Sequence, residues 1–66
     1  MEIGNRLKDL RKEKGLTQSQ VAQEIFVSRE SITKYENNEK TPSVEILCRL
    51  ADFYDCTTDF ILGRED

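Results

Sequence analysis

Apolar residues recur three and four positions apart through most of this 66-residue chain, which is the spacing of amphipathic helices. Four of these stretches begin with a hydroxyl residue that has one apolar residue just before it and another four positions after it: Thr17, Ser28, Ser43 and Thr57. Such a hydroxyl accepts a hydrogen bond from the first helical turn, and the flanking apolar pair packs together. With one more helix at the N-terminus, the pattern predicts five helices and no strand.

The apolar stripes and the residues between them place these helices at 2–14, 18–26, 29–37, 44–54 and 58–62. Gly15, Asn38 and Gly63 follow three of them, and glycine and asparagine tolerate the left-handed conformation that often ends a helix. We expect a single all-α domain over residues 1–66. The stripes assign the following residues to its core: Ile3, Leu7, Leu10, Val21, Ala22, Ile25, Ile32, Tyr35, Leu47, Leu50, Ala51 and Tyr54.

The composition argues against an enzyme and against a metal site. The chain has no histidine and only two cysteines, and it contains neither a glycine-rich phosphate loop nor a nucleophile with a base at a suggestive spacing. Without clustered ligands a zinc site is not expected, and no other cofactor is implied. We interpret Cys48 and Cys56 as small buried apolar residues.

The charges are unevenly distributed along the chain. Residues 1–40 carry eight Lys and Arg against seven Asp and Glu, and residues 41–66 carry two against six, which gives the net charge of −3. A nonspecific nucleic-acid binder is usually basic, and this chain is not. If the protein binds DNA, we therefore expect it to dock by one face and to depend on specific contacts. No apolar stretch is long enough to span a membrane and no signal-peptide pattern is present, so we expect a cytoplasmic protein.

The helix at 29–37 has one apolar edge and one polar edge. Ile32 and Tyr35 define the apolar edge, and the opposite edge carries Arg29, Glu30, Thr33, Lys34 and Asn37. Arginine can bond both acceptors of a guanine, glutamate can accept from cytosine, and threonine offers a methyl and a hydroxyl. The alternative is an ordinary solvated helix face with a Glu30–Lys34 ion pair.

The stretch 16–38 resembles the helix-turn-helix of the Cro/cI repressor class, also called XRE-like regulators. The matching words are Leu16-Thr17-Gln18, Val21-Ala22, Val27-Ser28-Arg29, Ser31-Ile32 and Tyr35-Glu36-Asn37. The similarity continues through Lys40-Thr41-Pro42-Ser43, Leu50-Ala51 and Thr58-Asp59-Phe60-Ile61-Leu62-Gly63. It therefore implies a five-helix, lambda-repressor-like DNA-binding domain whose helix-turn-helix is formed by the second and third helices.

This resemblance also implies roles for particular residues. Arg29, Glu30, Thr33 and Lys34 would read bases, whereas Gln18, Ser28, Asn37 and Lys40 would contact phosphates. The alternatives are local hydrogen bonding for Gln18, a helix cap for Asn37 and a solvated loop position for Lys40. Arg11 and Glu36 would form a structural ion pair that ties the first helix to the end of the third.

By the same resemblance the chain would be a repressor that binds a palindromic double-stranded operator as a homodimer, and no small-molecule effector is evident. Ile46, Phe53, Phe60 and Ile61 are candidates for the dimer face, the alternative being that they cover the core of their own protomer. The acidic segment 41–66 favours a different function, a protein-interaction module such as an antitoxin or anti-regulator. One departure stands out, because Phe26 occupies the turn where the family usually places glycine.

Overall fold

The computed structural model describes residues 3–64, and within them it contains five α-helices and no strand. The helices are α1 (Ile3–Glu13), α2 (Gln18–Ile25), α3 (Arg29–Glu36), α4 (Val44–Tyr54) and α5 (Thr58–Leu62). The predicted number, order and type of elements are confirmed. Helices α2 and α3 each end one residue earlier than predicted, because Phe26 and Asn37 serve as their C-caps. The predicted start of α1 at Glu2 lies outside the described residues.

All four predicted N-caps form. The hydroxyls of Thr17, Ser28, Ser43 and Thr57 accept hydrogen bonds from the backbone N–H groups three residues ahead, at 3.1, 3.1, 3.2 and 3.0 Å. At Thr17 the side chain of Gln20 also accepts from the Thr17 N–H at 2.8 Å, which completes a capping box. Each helix start is therefore fixed by its own sequence, because a side chain satisfies a donor that the helix leaves free.

Helix α3 packs against both α1 and α2, while α4 contacts α2 and α5 contacts α1 and α4. All but one of the predicted core residues are buried. The exception is Leu10, which is only partly buried against the core. Ile61 is fully buried, which excludes it from a dimer face and supports the alternative that it covers the core of its own protomer. Ile46 and Phe53 are partly buried and also pack on the core.

No disulfide joins the two cysteines. The prediction that both are buried was wrong for Cys48, which is exposed, and only partly right for Cys56, which is of intermediate exposure. The reason is the phase of α4: successive residues of a helix are about 100° apart around its axis, so Cys48 lies on the flank of the stripe formed by Leu47, Leu50 and Ala51. Cys56 belongs to the link between α4 and α5, where it packs on the rim of the core.

The contact between α1 and α3 is unusually close at Gly4. A Cβ atom at this position would lie 2.3 Å from the backbone oxygen of Glu36 and 2.7 Å from that of Tyr35, well inside van der Waals contact. In addition, the Gly4 N–H donates to the side-chain oxygen of Asn38 at 2.9 Å. Glycine is thus the residue that lets the start of α1 rest on the end of α3.

Candidate nucleic-acid interface

A short turn joins α2 to α3, and its geometry is fixed by the residue that ends α2 and the residue that begins α3. Phe26 caps α2 with a left-handed backbone (φ 62°), and the Val27 N–H donates to the Ala22 carbonyl at 3.0 Å. Ser28 then caps α3 from an extended conformation. Glycine tolerates a positive φ better than any other residue, yet Phe26 adopts one here, and the residue is 84% exposed.

The end of α2 is also held from α4. The guanidinium of Arg49 donates to the carbonyl oxygen of Ile25 at 3.1 Å, and its other terminal nitrogen pairs with Glu45 one turn earlier on α4. Arginine thus satisfies one of the carbonyls that the last turn of α2 leaves without a partner inside the helix. The position of the helix-turn-helix relative to the rest of the fold is fixed by this bond as well as by the core.

The two faces of α3 differ as the sequence predicted. Ile32, Tyr35 and Glu36 are buried, whereas Arg29, Glu30 and Lys34 are exposed on the outer side. Within residues 3–64, none of these three exposed side chains forms a hydrogen bond, and no ion pair joins Glu30 to Lys34. Thr33 is of intermediate exposure at the edge of this outer side. Among the residues that the structure describes, the charged groups that could read bases therefore project from the helix without a bonded partner.

The ion pair implied by the family resemblance is present. Arg11 donates through Nε to Glu36 Oε2 at 2.7 Å and through Nη2 to Glu36 Oε1 at 3.0 Å, and its Nη1 donates to the Leu16 carbonyl at 2.9 Å. The hydrogen bond with Glu36 raises the pKa of Arg11, although burial opposes this shift. The Glu36 side chain is only 2% exposed, so removal of Arg11 would leave a buried carboxylate without its charged partner.

Gln18 extends this pair toward the outer side of α3. Its amide nitrogen donates to Glu36 Oε1 at 3.1 Å, and its amide oxygen accepts from the Thr33 hydroxyl at 2.8 Å. Sequence reasoning missed this bridge, since Gln18 lies 15 and 18 residues from its two partners and no local pattern joins them. Gln18 and Thr33, which were expected to make separate contacts with DNA, are thus hydrogen-bonded to each other.

The other three predicted phosphate contacts lie at the two ends of α3. The Ser28 hydroxyl caps the helix and bonds the Ser31 hydroxyl at 3.0 Å. Asn37 is the C-cap, with an exposed side chain. Beyond it, the Lys40 ammonium lies 5.9 Å from the centre of the Tyr35 ring, a distance at which a cation is attracted to the face of an aromatic ring. Polar side chains therefore flank the outer side of α3 at both ends, although the hydroxyl hydrogen of Ser28 is already donated to Ser31.

The described part of the chain contains no group of three or more His, Cys, Asp or Glu residues that could hold a metal ion. None of the helices between residues 3 and 64 is long and apolar enough to cross a membrane.

Comparison with known proteins places this geometry in a family. The helix-turn-helix family model matches residues 7–61. The chain is 30% identical over 66 residues to the HTH-type transcriptional regulator ImmR of Bacillus subtilis, covering all of this chain and 52% of that protein. It is 41% identical over 64 residues to the cryptic phage CTXphi transcriptional repressor RstR of Vibrio cholerae, covering 97% of this chain and 57% of RstR. It therefore spans about half the length of these curated relatives.

Solved structures show the same fold. The crystal structure of the P22 c2 repressor in complex with a synthetic operator superposes with a TM-score of 0.93 at 26% identity, over 98% of each chain. The resemblance drawn from the sequence and the lambda-repressor-like fold are therefore confirmed. Because the family model covers most of its length, this chain belongs to the helix-turn-helix family of DNA-binding regulators.

Proposed function

We propose that this chain is a sequence-specific, double-stranded-DNA-binding transcriptional regulator in which α3 enters the major groove. The observation that carries the proposal is the outer side of α3, where Arg29, Glu30 and Lys34 are exposed and form no side-chain hydrogen bond or ion pair with other residues of the segment 3–64, while the inner side of the helix is buried. A helix with this division can present its polar side to base edges while the scaffold holds it rigidly. The similarity to ImmR, an HTH-type transcriptional regulator, and to RstR, a transcriptional repressor, supports this function.

The base-reading set consists of Arg29, Glu30, Thr33 and Lys34. Arg29 and Glu30 stand at the N-terminal end of α3, the end that reaches base edges in helix-turn-helix proteins. Arginine favours guanine because its two parallel donors match the O6 and N7 acceptors, and glutamate favours the amino group of cytosine. Within residues 3–64 the side chains of Arg29, Glu30 and Lys34 form no hydrogen bond, which leaves their donors and acceptors available to DNA, whereas Thr33 is bonded to Gln18 and to the Arg29 carbonyl.

The phosphate-contacting set consists of Gln18, Ser28, Asn37 and Lys40. Only Lys40 in this set is charged, and the chain as a whole carries −3. The electrostatic, sequence-independent part of the affinity should therefore be small, since it grows with the number of phosphates that Lys and Arg neutralise. Discrimination between sequences then depends mainly on the contacts made by α3.

A homodimer on a palindromic operator is the arrangement we infer, with repression as its effect and the cytoplasm as its location. The described protomer measures 30 × 23 × 19 Å, so one copy suits one half-site and two copies suit half-sites about 34 Å apart, one turn of DNA. Apolar surface for such a contact is available at Val44, which is 78% exposed, and at the partly buried Ile46, Phe53 and Phe60. The proposal involves no cofactor and no small-molecule effector.

Selection from a pool of random duplexes at about 0.1 M salt, where exposed charges are already partly screened, tests this function. Protein shown to be folded by circular dichroism should enrich one motif, and two inverted copies of it would support the dimer. The Arg29→Ala variant is the matched control and should enrich a motif with one position relaxed. No enrichment by the folded protein would contradict the proposal and favour the protein-interaction alternative suggested by the acidic segment 41–66.

A further inference from the structure

A continuous line of hydrogen bonds runs from the buried ion pair to the outer side of α3. It begins at Arg11, passes through the carboxylate of Glu36 and the amide of Gln18, and ends at the hydroxyl of Thr33, with the successive donor–acceptor distances 2.7, 3.1 and 2.8 Å. Only Arg11 and Glu36 are charged, and Thr33 is the member closest to the side of α3 that faces outward. The line thus joins the interior to a residue proposed to read a base.

The direction of every hydrogen bond in this line is dictated by chemistry. Glu36 is paired with a guanidinium, so it is ionised and can only accept. The Gln18 amide must therefore turn its nitrogen toward Glu36, which leaves its oxygen facing Thr33. An amide oxygen also only accepts, so the hydrogen of the Thr33 hydroxyl must point inward.

A second acceptor favours the same direction. The Arg29 carbonyl, one turn earlier on α3, lies 3.1 Å from the Thr33 hydroxyl oxygen. Both internal partners of Thr33 are thus acceptors, and the one hydrogen of the hydroxyl is directed toward the protein in either case. What Thr33 can offer to a ligand is its oxygen lone pairs and its methyl group.

We infer that Gln18 is a positioning residue for specificity, which holds Thr33 as a hydrogen-bond acceptor so that Thr33 selects an amino group on the DNA. In the major groove those groups are N6 of adenine and N4 of cytosine, whereas thymine O4 and guanine O6 are acceptors. Thr33 should therefore favour adenine or cytosine, and disfavour guanine or thymine, on the strand it faces. This inference rests on the proposed function.

Gln18 keeps a second function in this arrangement. Its amide nitrogen carries two hydrogens, and the bond to Glu36 uses one of them. The other is free for a phosphate, which also requires a donor. A single side chain can thus contact the backbone of the DNA and set the direction of a base contact.

Selection from random duplexes with the wild type and three variants tests this inference. Thr33→Val removes the oxygen but keeps the shape of the side chain, so it should reduce the preference for adenine or cytosine at one position by about fivefold, the factor for one net hydrogen bond. That variant identifies the position. Gln18→Ala should then reduce the preference at the same position by about twofold, a smaller effect because the Arg29 carbonyl still accepts.

The Lys40→Ala variant is the control, since it should weaken binding to all sequences and leave this preference unchanged. Three results would overturn the inference: guanine or thymine enriched at the position identified by Thr33→Val, no change of preference in Thr33→Val, or a Gln18→Ala variant that resembles Lys40→Ala. Thermal unfolding of each variant verifies that it is folded. If the wild type enriches no motif at all, the proposed function fails instead, so the two failures are distinguishable.

Discussion

Gly4 is the position where one added methyl group should most disturb this fold. A Cβ would lie 2.3 Å from the Glu36 carbonyl oxygen and 2.7 Å from that of Tyr35, against 3.4–4 Å for an ordinary contact. Relief requires a shift of about 1 Å, and the atoms in the way are backbone, which cannot rotate aside. Overpacking of this kind typically destabilises by about 1–3 kcal/mol. Alanine recovers at most about 1 kcal/mol through its higher helix propensity.

The Gly4→Ala variant should therefore lose about 2 kcal/mol, a large part of the roughly 3–5 kcal/mol expected for so small a core. In thermal unfolding this corresponds to a fall in Tm of about 10 °C. Asp9→Ala, at an exposed position of the same helix, is the matched control and should stay within about 0.5 kcal/mol of the wild type. A Gly4→Ala variant as stable as the wild type would refute the close approach of α1 to α3.

Three further predictions concern the turn, the interface and the core. Phe26→Gly should stabilise the protein by about 0.5–1 kcal/mol in urea unfolding, because it removes left-handed strain at a side chain that is 84% exposed; a loss of stability would mean that the ring contributes packing. Arg29→Ala should weaken binding to the best DNA site by about 1–3 kcal/mol and relax the base preference at one position. Lys40→Ala should weaken binding to all sequences alike and reduce the slope of log affinity against log salt concentration by about one. Binding titrations in which the two variants lose affinity in the same way would contradict these roles. Burial, assisted by the charge of Glu36, raises the pKa of Tyr54 to about 12, above about 10 in the unfolded chain. The contribution of this pKa difference to the free energy of unfolding is fully present below about pH 10 and is lost as the pH rises toward about 12. Tyr54→Phe should therefore show a smaller loss of stability than the wild type over this pH range in urea unfolding.

The features that the sequence predicted well are those determined by neighbours along the chain. Each N-cap needs only a hydroxyl and a free N–H three residues ahead, so Thr17 and Ser28 marked the helix starts without any knowledge of the fold. The inner side of α3 followed from helical spacing in the same way. The pairing of Arg11 with Glu36, 25 residues away, came from the family resemblance and not from local pattern.

The features that the sequence missed depend on contacts between distant helices. Nothing around Gly4 indicates that the end of α3 lies against it. The bond between Gln18 and Thr33 was missed for the same reason. Cys48 was expected to be buried, and Ile61 was a candidate for the dimer face. Apolar character alone does not say which of such residues a neighbouring helix covers. In this fold Ile61 is buried and Cys48 is exposed.

The base-reading and phosphate-contacting roles remain predictions that the geometry supports. Arg29, Glu30 and Lys34 are exposed on the outer side of α3 without a bonded partner in the described part of the chain, as a reading surface requires. Ser28, Asn37 and Lys40 lie at or beyond the ends of this helix. Gln18 and Thr33 differ from the rest because they are bonded to each other. Their contributions to binding should therefore be coupled, while those of Arg29 and Lys40 should be additive.

We propose that the outer side of α3 is the surface that reads DNA, and nuclear magnetic resonance can locate that surface residue by residue. The selected duplex and a scrambled duplex of the same composition would each be titrated into ¹⁵N-labelled protein, and the amide shifts compared. We expect the selected duplex to produce the larger changes at Gln18 and along residues 28–34. Unchanged α3 amides, with the shifts confined to α4 and α5, would contradict the proposal.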